Sequence, residues 1–213
     1  MSFHVWITFF AAAWAISLSP GAAAVAAMGC GLQHGGVRGS LPLIAGLVLG
    51  LSTQVLVVGI GLGALIAASA TAFHVVQWAG VAYLCWLGVQ QWRAPAHALV
   101  APADADAPDL APAALRRQLL LRGWTVNALN PKGTVFLLAV LPQFLDLGAP
   151  LAPQYLLVGA TLALTEGSVM AGYAALAARV LRRLRTERQV RWVQRTFGSL
   201  FIAAGALLAS FKR

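Results

Sequence analysis

Two short runs and one distant carboxylate are the places where this chain can do chemistry. The runs are Ser19-Pro20-Gly21 and Asn130-Pro131-Lys132-Gly133, and the carboxylate is Glu166. Each run interrupts a long apolar stretch. Proline has no backbone N–H and its ring collides with the preceding turn, so each run is expected to unwind a helix. The half-helix before each proline then ends in free carbonyls, which suit an ammonium or another cation. The half-helix after it begins with free N–H groups at the positive end of its dipole, which suit a carboxylate. Together these ends make a receptor for a zwitterion such as an amino acid.

Side chains at the same depth extend that chemistry. Lys132 follows the second break directly, and Glu166 falls near the middle of a later apolar segment. A charge at membrane depth is costly and marks a substrate or proton pathway by default. An ammonium and a carboxylate in one low-dielectric cavity neutralise each other or exchange partners with substrate and proton. The bland counterpart is a static ion pair that locks two helices. Asn127 and Asn130 add amide donors and acceptors, with Asn127 one helical turn before the break. Gln54, Thr53, Thr165 and Tyr173 are further candidates for substrate contact, and Tyr173, seven residues after Glu166, lies on the same helical face. Buried polar side chains serve equally well as glue between helices. His4, His34, His74 and His97 sit at segment ends or in loops, and none pairs with another ligand type one turn away, so no metal site or cofactor is expected.

The elements that position these residues follow from composition. The chain has 213 residues, of which 60% are hydrophobic and 10% charged, with a mean hydropathy of +0.78. A soluble domain carries about a quarter charged residues, so the sequence reads as a polytopic membrane protein. Six apolar segments are long enough to cross a bilayer: 3–28, 41–68, 73–92, 119–145, 151–178 and 193–211. No Lys or Arg precedes the first, so it is read as retained and not as a cleaved signal peptide.

The net charge of +9 does not point to nucleic acid, because the charges follow membrane topology. Twelve of the fifteen Lys and Arg residues fall after segments one, three and five, from Arg38 through Arg93, Arg116, Arg117 and Arg122 to the run between Arg179 and Arg195. The opposite side has only Lys212 and Arg213. Positive loops stay cytoplasmic, which places both termini outside.

A three-helix unit repeated once across a membrane must invert. Pro20 and Pro131 are 111 residues apart, Pro42 and Pro153 share that offset, and Gln54 maps beside Glu166. Each of Pro42 and Pro153 is placed near the start of its segment, where proline suits a helix's first turn. Trp78-Ala79-Gly80 through Tyr83 and Thr196-Phe197-Gly198 through Phe201 both put an aromatic three residues after a glycine. Matched interruptions in two halves are the sequence pointer to a transporter's binding site. The chain is therefore divided into a first three-helix repeat (1–93), a cytoplasmic linker (94–118) rich in Ala and Pro, and a second repeat (119–213). The arginine-rich stretch 179–195 is read as the positive-inside signal, ahead of a helix lying on anionic headgroups. Gly46 and Gly50, like Gly59 and Gly63, are spaced to let helices approach closely.

Cys30 and Cys85 have no CxxC or CxxH neighbours and read as small packing residues. The rival to a carrier of solutes is a membrane thiol or electron carrier using these two cysteines.

Several motifs in combination resemble the lysine/threonine exporter family of LysE/RhtB type. They are Ser19-Pro20-Gly21, the run from Trp78 through Gly88, and Asn127 through Gly133 continuing to Leu141-Pro142-Gln143-Phe144. The resemblance spans nearly the whole chain. It implies an inner-membrane secondary transporter that exports amino acids or related metabolites by proton antiport. Carried over by position, Ser19, Pro20, Gly21, Asn130, Pro131 and Lys132 form the central site. Glu166 stands where the family often has aspartate, and Gln54 where many members have histidine. Ala22 replaces the second proline of the Ser-Pro-Gly-Pro pattern. The expectation is thus an all-α polytopic membrane protein, not an enzyme, of six transmembrane helices in two inverted three-helix repeats. Helices one and four are broken at proline motifs, Glu166 carries the coupling proton, and the partners are an amino-acid-like solute and the lipid bilayer. A homo-oligomer is left open.

Overall fold

The computed structural model describes residues 1–68, 70–93, 111–146 and 148–180, with isolated positions between 188 and 206. Within these residues the chain forms seven helices: α1 Phe3–Leu18, α2 Ala22–Gln33, α3 Val37–Ala68, α4 Ala70–Arg93, α5 Pro112–Ala128, α6 Pro131–Phe144 and α7 Leu151–Val180. Both expected breaks are present. The Ser19-Pro20-Gly21 run separates α1 from α2, which bend by 58°, and Leu129-Asn130 separates α5 from α6. Among the described residues, α3 over Val37–Gly61 and α7 over Leu151–Ala177 are each long and apolar enough to cross a membrane, and α1 with α2 makes a third if the bent pair is one span. The sixth predicted segment, 193–211, lies largely outside the described residues, as does most of the arginine-rich stretch.

Helix starts differ from the apolar boundaries for local reasons. Gly35 and Gly36 have φ of 76° and 87°, a left-handed conformation open to glycine, and they form the turn that releases the chain into α3. Because α3 therefore begins at Val37, Pro42 lies inside the helix and not in its first turn as expected. Pro112 occupies the first turn of α5, where its missing N–H costs nothing. That start makes the end of the predicted linker helical, and 94–110 lies outside the described residues.

The two continuous helices exchange partners with the two broken ones. α3 packs against α5 and α6, while α7 packs against α1 and α2. Two large apolar clusters result, with a smaller third of Val81, Phe136 and Val140 between α4 and α6. In one, Ala27 and Met28 of α2 meet Leu43 and Leu47 of α3, Leu119 of α5, and Met170 and Ala174 of α7. In the other, Phe9 and Ala13 of α1 meet Leu51 and Val55 of α3, Leu137 and Leu141 of α6, and Val158 and Leu162 of α7. Glu166 stands on α7 between Leu162 and Met170, hence between the clusters. Leu56, Val57 and Ile60 of α3 and Leu156 and Leu164 of α7 point outward, as helices facing lipid require.

Close approach of α3 and α5 depends on glycine. A Cβ on Gly46 would run into the Leu120 carbonyl, and one on Gly123 into the Leu43 carbonyl; on Gly50 it would stand 2.6 Å from the Trp124 carbonyl. The Gly46–Gly50 pair thus serves internal packing. Gly46→Leu is expected to push the two backbones apart and destabilise the fold by roughly 1–3 kcal/mol, as overpacking does. A lowered thermal midpoint in detergent would register it, and a wild-type midpoint would contradict the contact.

Candidate functional site

The breaks meet at a cavity of about 40 Å³ between the two large apolar clusters. That is room for a few waters and too small for any amino acid. Its polar lining consists of Ser17, Ser19, Asn127, Asn130, Lys132 and Glu166, with Gly21 and Gly133 beside them. Four elements supply these groups: the end of α1, the end of α5, the start of α6 and the middle of α7. Residues separated by more than a hundred positions in the chain are thereby brought together, and the two depth-placed charges line one cavity.

Lys132 reaches across to the first break. Its Nζ donates to the Ser19 carbonyl at 2.7 Å and to the Ile16 carbonyl at 3.2 Å. In a continuous helix the Ile16 carbonyl would pair with residue 20, where proline offers no N–H; here it accepts from Ser19 N–H at 3.3 Å as well as from Lys132. The sequence alone left the carbonyls at this break for a substrate cation; the structure gives two of them to the protein's own ammonium. At the other end of the lining, Glu166 Oε1 accepts from Asn127 Nδ2 at 3.3 Å, and the same amide nitrogen donates to the Leu47 carbonyl at 2.7 Å. Asn130 Nδ2 in turn donates to Asn127 Oδ1 at 3.4 Å.

Gln54 and Tyr173 do not line the cavity. Each instead holds a break formed by the opposite half of the chain. Gln54 Nε2, from α3, donates to the Asn130 carbonyl at 2.8 Å and to Thr134 Oγ1 at 2.9 Å. Tyr173 OH, from α7, donates to the Leu18 carbonyl at 2.7 Å. The cross-over follows from the exchanged packing of the continuous helices. Gly133 leaves room for it, because a Cβ there would meet Gln54 Oε1 and shift the amide. Thr53 Oγ1 accepts from Trp124 Nε1 at 3.2 Å and Thr165 Oγ1 from Ser17 Oγ at 3.4 Å, so both join helices. Pro20 and Pro131 act through the backbone that they interrupt.

Sequence reasoning missed Ser17 and Thr134. Ser17 is buried, lines the cavity and bonds to α7; its signal was a second hydroxyl two residues before Ser19. Thr134 takes part in the Gln54 clamp, one turn past Asn130. The cysteines show nothing of a redox pair. Cys30 and Cys85 are both free thiols. Cys30 is buried in the cluster with Met28 and Leu43, as a small packing residue would be, and the thiol-carrier alternative has no support.

The family model described as LysE type translocator matches residues 14–211. The chain is 42% identical over 210 residues to a protein of Salmonella typhimurium named homoserine/homoserine lactone efflux protein, covering 99% of this chain and 98% of that one. It is 42% identical over 212 residues, the full length of both chains, to an uncharacterized membrane protein of Vibrio cholerae. A leucine efflux protein of an Enterobacter species is 28% identical over 206 residues, covering 95% of this chain and 94% of that one. No solved structure matches the chain.

Proposed function

Since the chain belongs to the LysE type translocator family, and is a transporter rather than an enzyme, we propose that it exports amino acids across the bacterial inner membrane in exchange for protons. The observation that carries this reading is the shared cavity, where Lys132 from the second break and Glu166 from α7 face one buried space. Ionisable groups at that depth are expensive to keep unless transport uses them. Homoserine, its lactone and leucine, the solutes in the relatives' names, define the first class to test.

In this reading α1–α2 and α5–α6 are the broken first spans of two inverted repeats, and α3 and α7 are the continuous second spans. α4 and the segment 193–211 complete the six. The exchange of partners between continuous and broken helices supports a twofold arrangement. The arginine-rich loops then face the cytoplasm and both termini face outward. Alternating access rocks one helix group against the other around the cavity, which must enlarge to admit a solute. Glu166 accepts and releases the coupling proton, while Lys132 answers the substrate's charge.

Proteoliposomes containing the full chain, given a lumen-acid pH gradient, are expected to show saturable uptake of radiolabelled homoserine, leucine or a related amino acid. Absence of uptake across a panel of amino acids would remove this function.

A further inference from the structure

Both breaks start a half-helix, but the two starts are not equivalent. At the second, Asn130 caps α6, with its Oδ1 accepting the Lys132 N–H at 3.1 Å, and Pro131 at the first helical position has no N–H to offer. That start has lost one opening donor to proline and one to the cap, which leaves Gly133 N–H to offer an anion. At the first, the N-cap of the twelve-residue α2 is Gly21, which has no side chain and makes no cap bond. The opening N–H groups of α2 therefore keep the unsatisfied donors intrinsic to any helix start. Ala22, where the resembled pattern has proline, leaves an N–H at the first helical position.

A second observation is independent of the helix. Ser19 is 3% exposed and lines the cavity with Gly21, Ala23 and Ala24. Its Oγ makes no hydrogen bond among the described residues. A buried hydroxyl without a partner costs stability, so its retention here needs a reason. A third group completes the set. Lys132 Nζ lies 3.6 Å from the position that a Cβ on Gly21 would occupy, so an ammonium stands beside the same helix start. An O–H donor, the positive end of a helix and a cation thus lie around the same short stretch, Ser19–Gly21.

We infer that the first break is the carboxylate subsite, in preference to the second despite its matching sequence. The inference rests on the amino-acid exporter reading and deepens it by orienting the solute. The substrate's carboxylate sits on Ser19 Oγ and the start of α2, and its ammonium turns toward Glu166. The subsite divides solutes by class: a free amino acid engages it through an anion, whereas the corresponding lactone has only a neutral ester carbonyl to present.

The test is calorimetric binding of L-homoserine and of L-homoserine lactone, measured separately on the purified full chain in detergent. Wild type is expected to bind homoserine roughly tenfold more tightly than the lactone, the advantage of a charge-assisted contact. Ser19→Ala is expected to weaken homoserine by roughly tenfold and to change the lactone less than twofold. Its melting point should hold, because the replacement removes an unpartnered hydroxyl. Equal wild-type affinities, or equal losses for both ligands in Ser19→Ala, would overturn the subsite. Homoserine affinity unchanged in Ser19→Ala would do the same. Binding of neither ligand, nor of any amino acid in the uptake panel, would discard the exporter reading on which the subsite rests, and if another amino acid alone binds, it and its amide take the places of homoserine and lactone.

Discussion

Lys132→Met is expected to abolish transport, with at least a hundredfold loss of initial rate, while the chain remains folded. Lys132 Nζ bridges α6 to the last carbonyls of α1, at Ser19 and Ile16, so it ties one break to the other across the cavity. Methionine has nearly the same length and keeps the apolar stem, but offers no donor. Two main-chain carbonyls then lose a charged partner, a contact worth about 1.5–3 kcal/mol in comparable cases. The larger effect is on transport, because the site loses its cation at the point where substrate charge must be answered. Lys132→Arg is not expected to rescue, since a planar guanidinium cannot reproduce a compact point charge seated between two carbonyls. Wild-type uptake by Lys132→Met in proteoliposomes would refute the assignment.

Glu166→Gln is expected to separate movement of solute from the proton gradient. Glutamine keeps the shape of the side chain and an oxygen that can accept from Asn127 Nδ2, as Glu166 Oε1 does at 3.3 Å. It cannot take up or release the coupling proton. With one proton exchanged per solute, each unit of pH difference sustains about tenfold accumulation at equilibrium. In inside-out vesicles with an acidic lumen, the wild type should accumulate solute on that scale. Glu166→Gln should only equilibrate it, while solute-for-solute exchange at uniform pH persists. Undiminished accumulation by the variant would show that the proton travels through another group.

Both residues are legible in the sequence, and the reason is solvation cost. Charges are rare at membrane depth, so Lys132 and Glu166 stand out among apolar neighbours. The breaks stand out because proline's missing N–H is a local property of the residue. Gln54 and Tyr173 are visible as polar residues in apolar segments, but their partners are not. Each holds a backbone carbonyl, and sequence does not show which carbonyl a given side chain will reach.

Hydropathy and backbone chemistry within a few residues were thus enough to establish the membrane class, the positions of both breaks and the scarce charges near them. How the breaks are used depends on contacts that no local property encodes. The packing of the two breaks sets Lys132 on the carbonyls at the end of α1, whereas the missing cap at Gly21 and the Asn130 cap on α6 are local, since glycine has no side chain and Asn130 bonds two residues ahead. The two breaks look alike in sequence because similar motifs recur at one offset. They differ in space because Lys132, from the second break, occupies carbonyls of the first, a contact between residues more than a hundred positions apart.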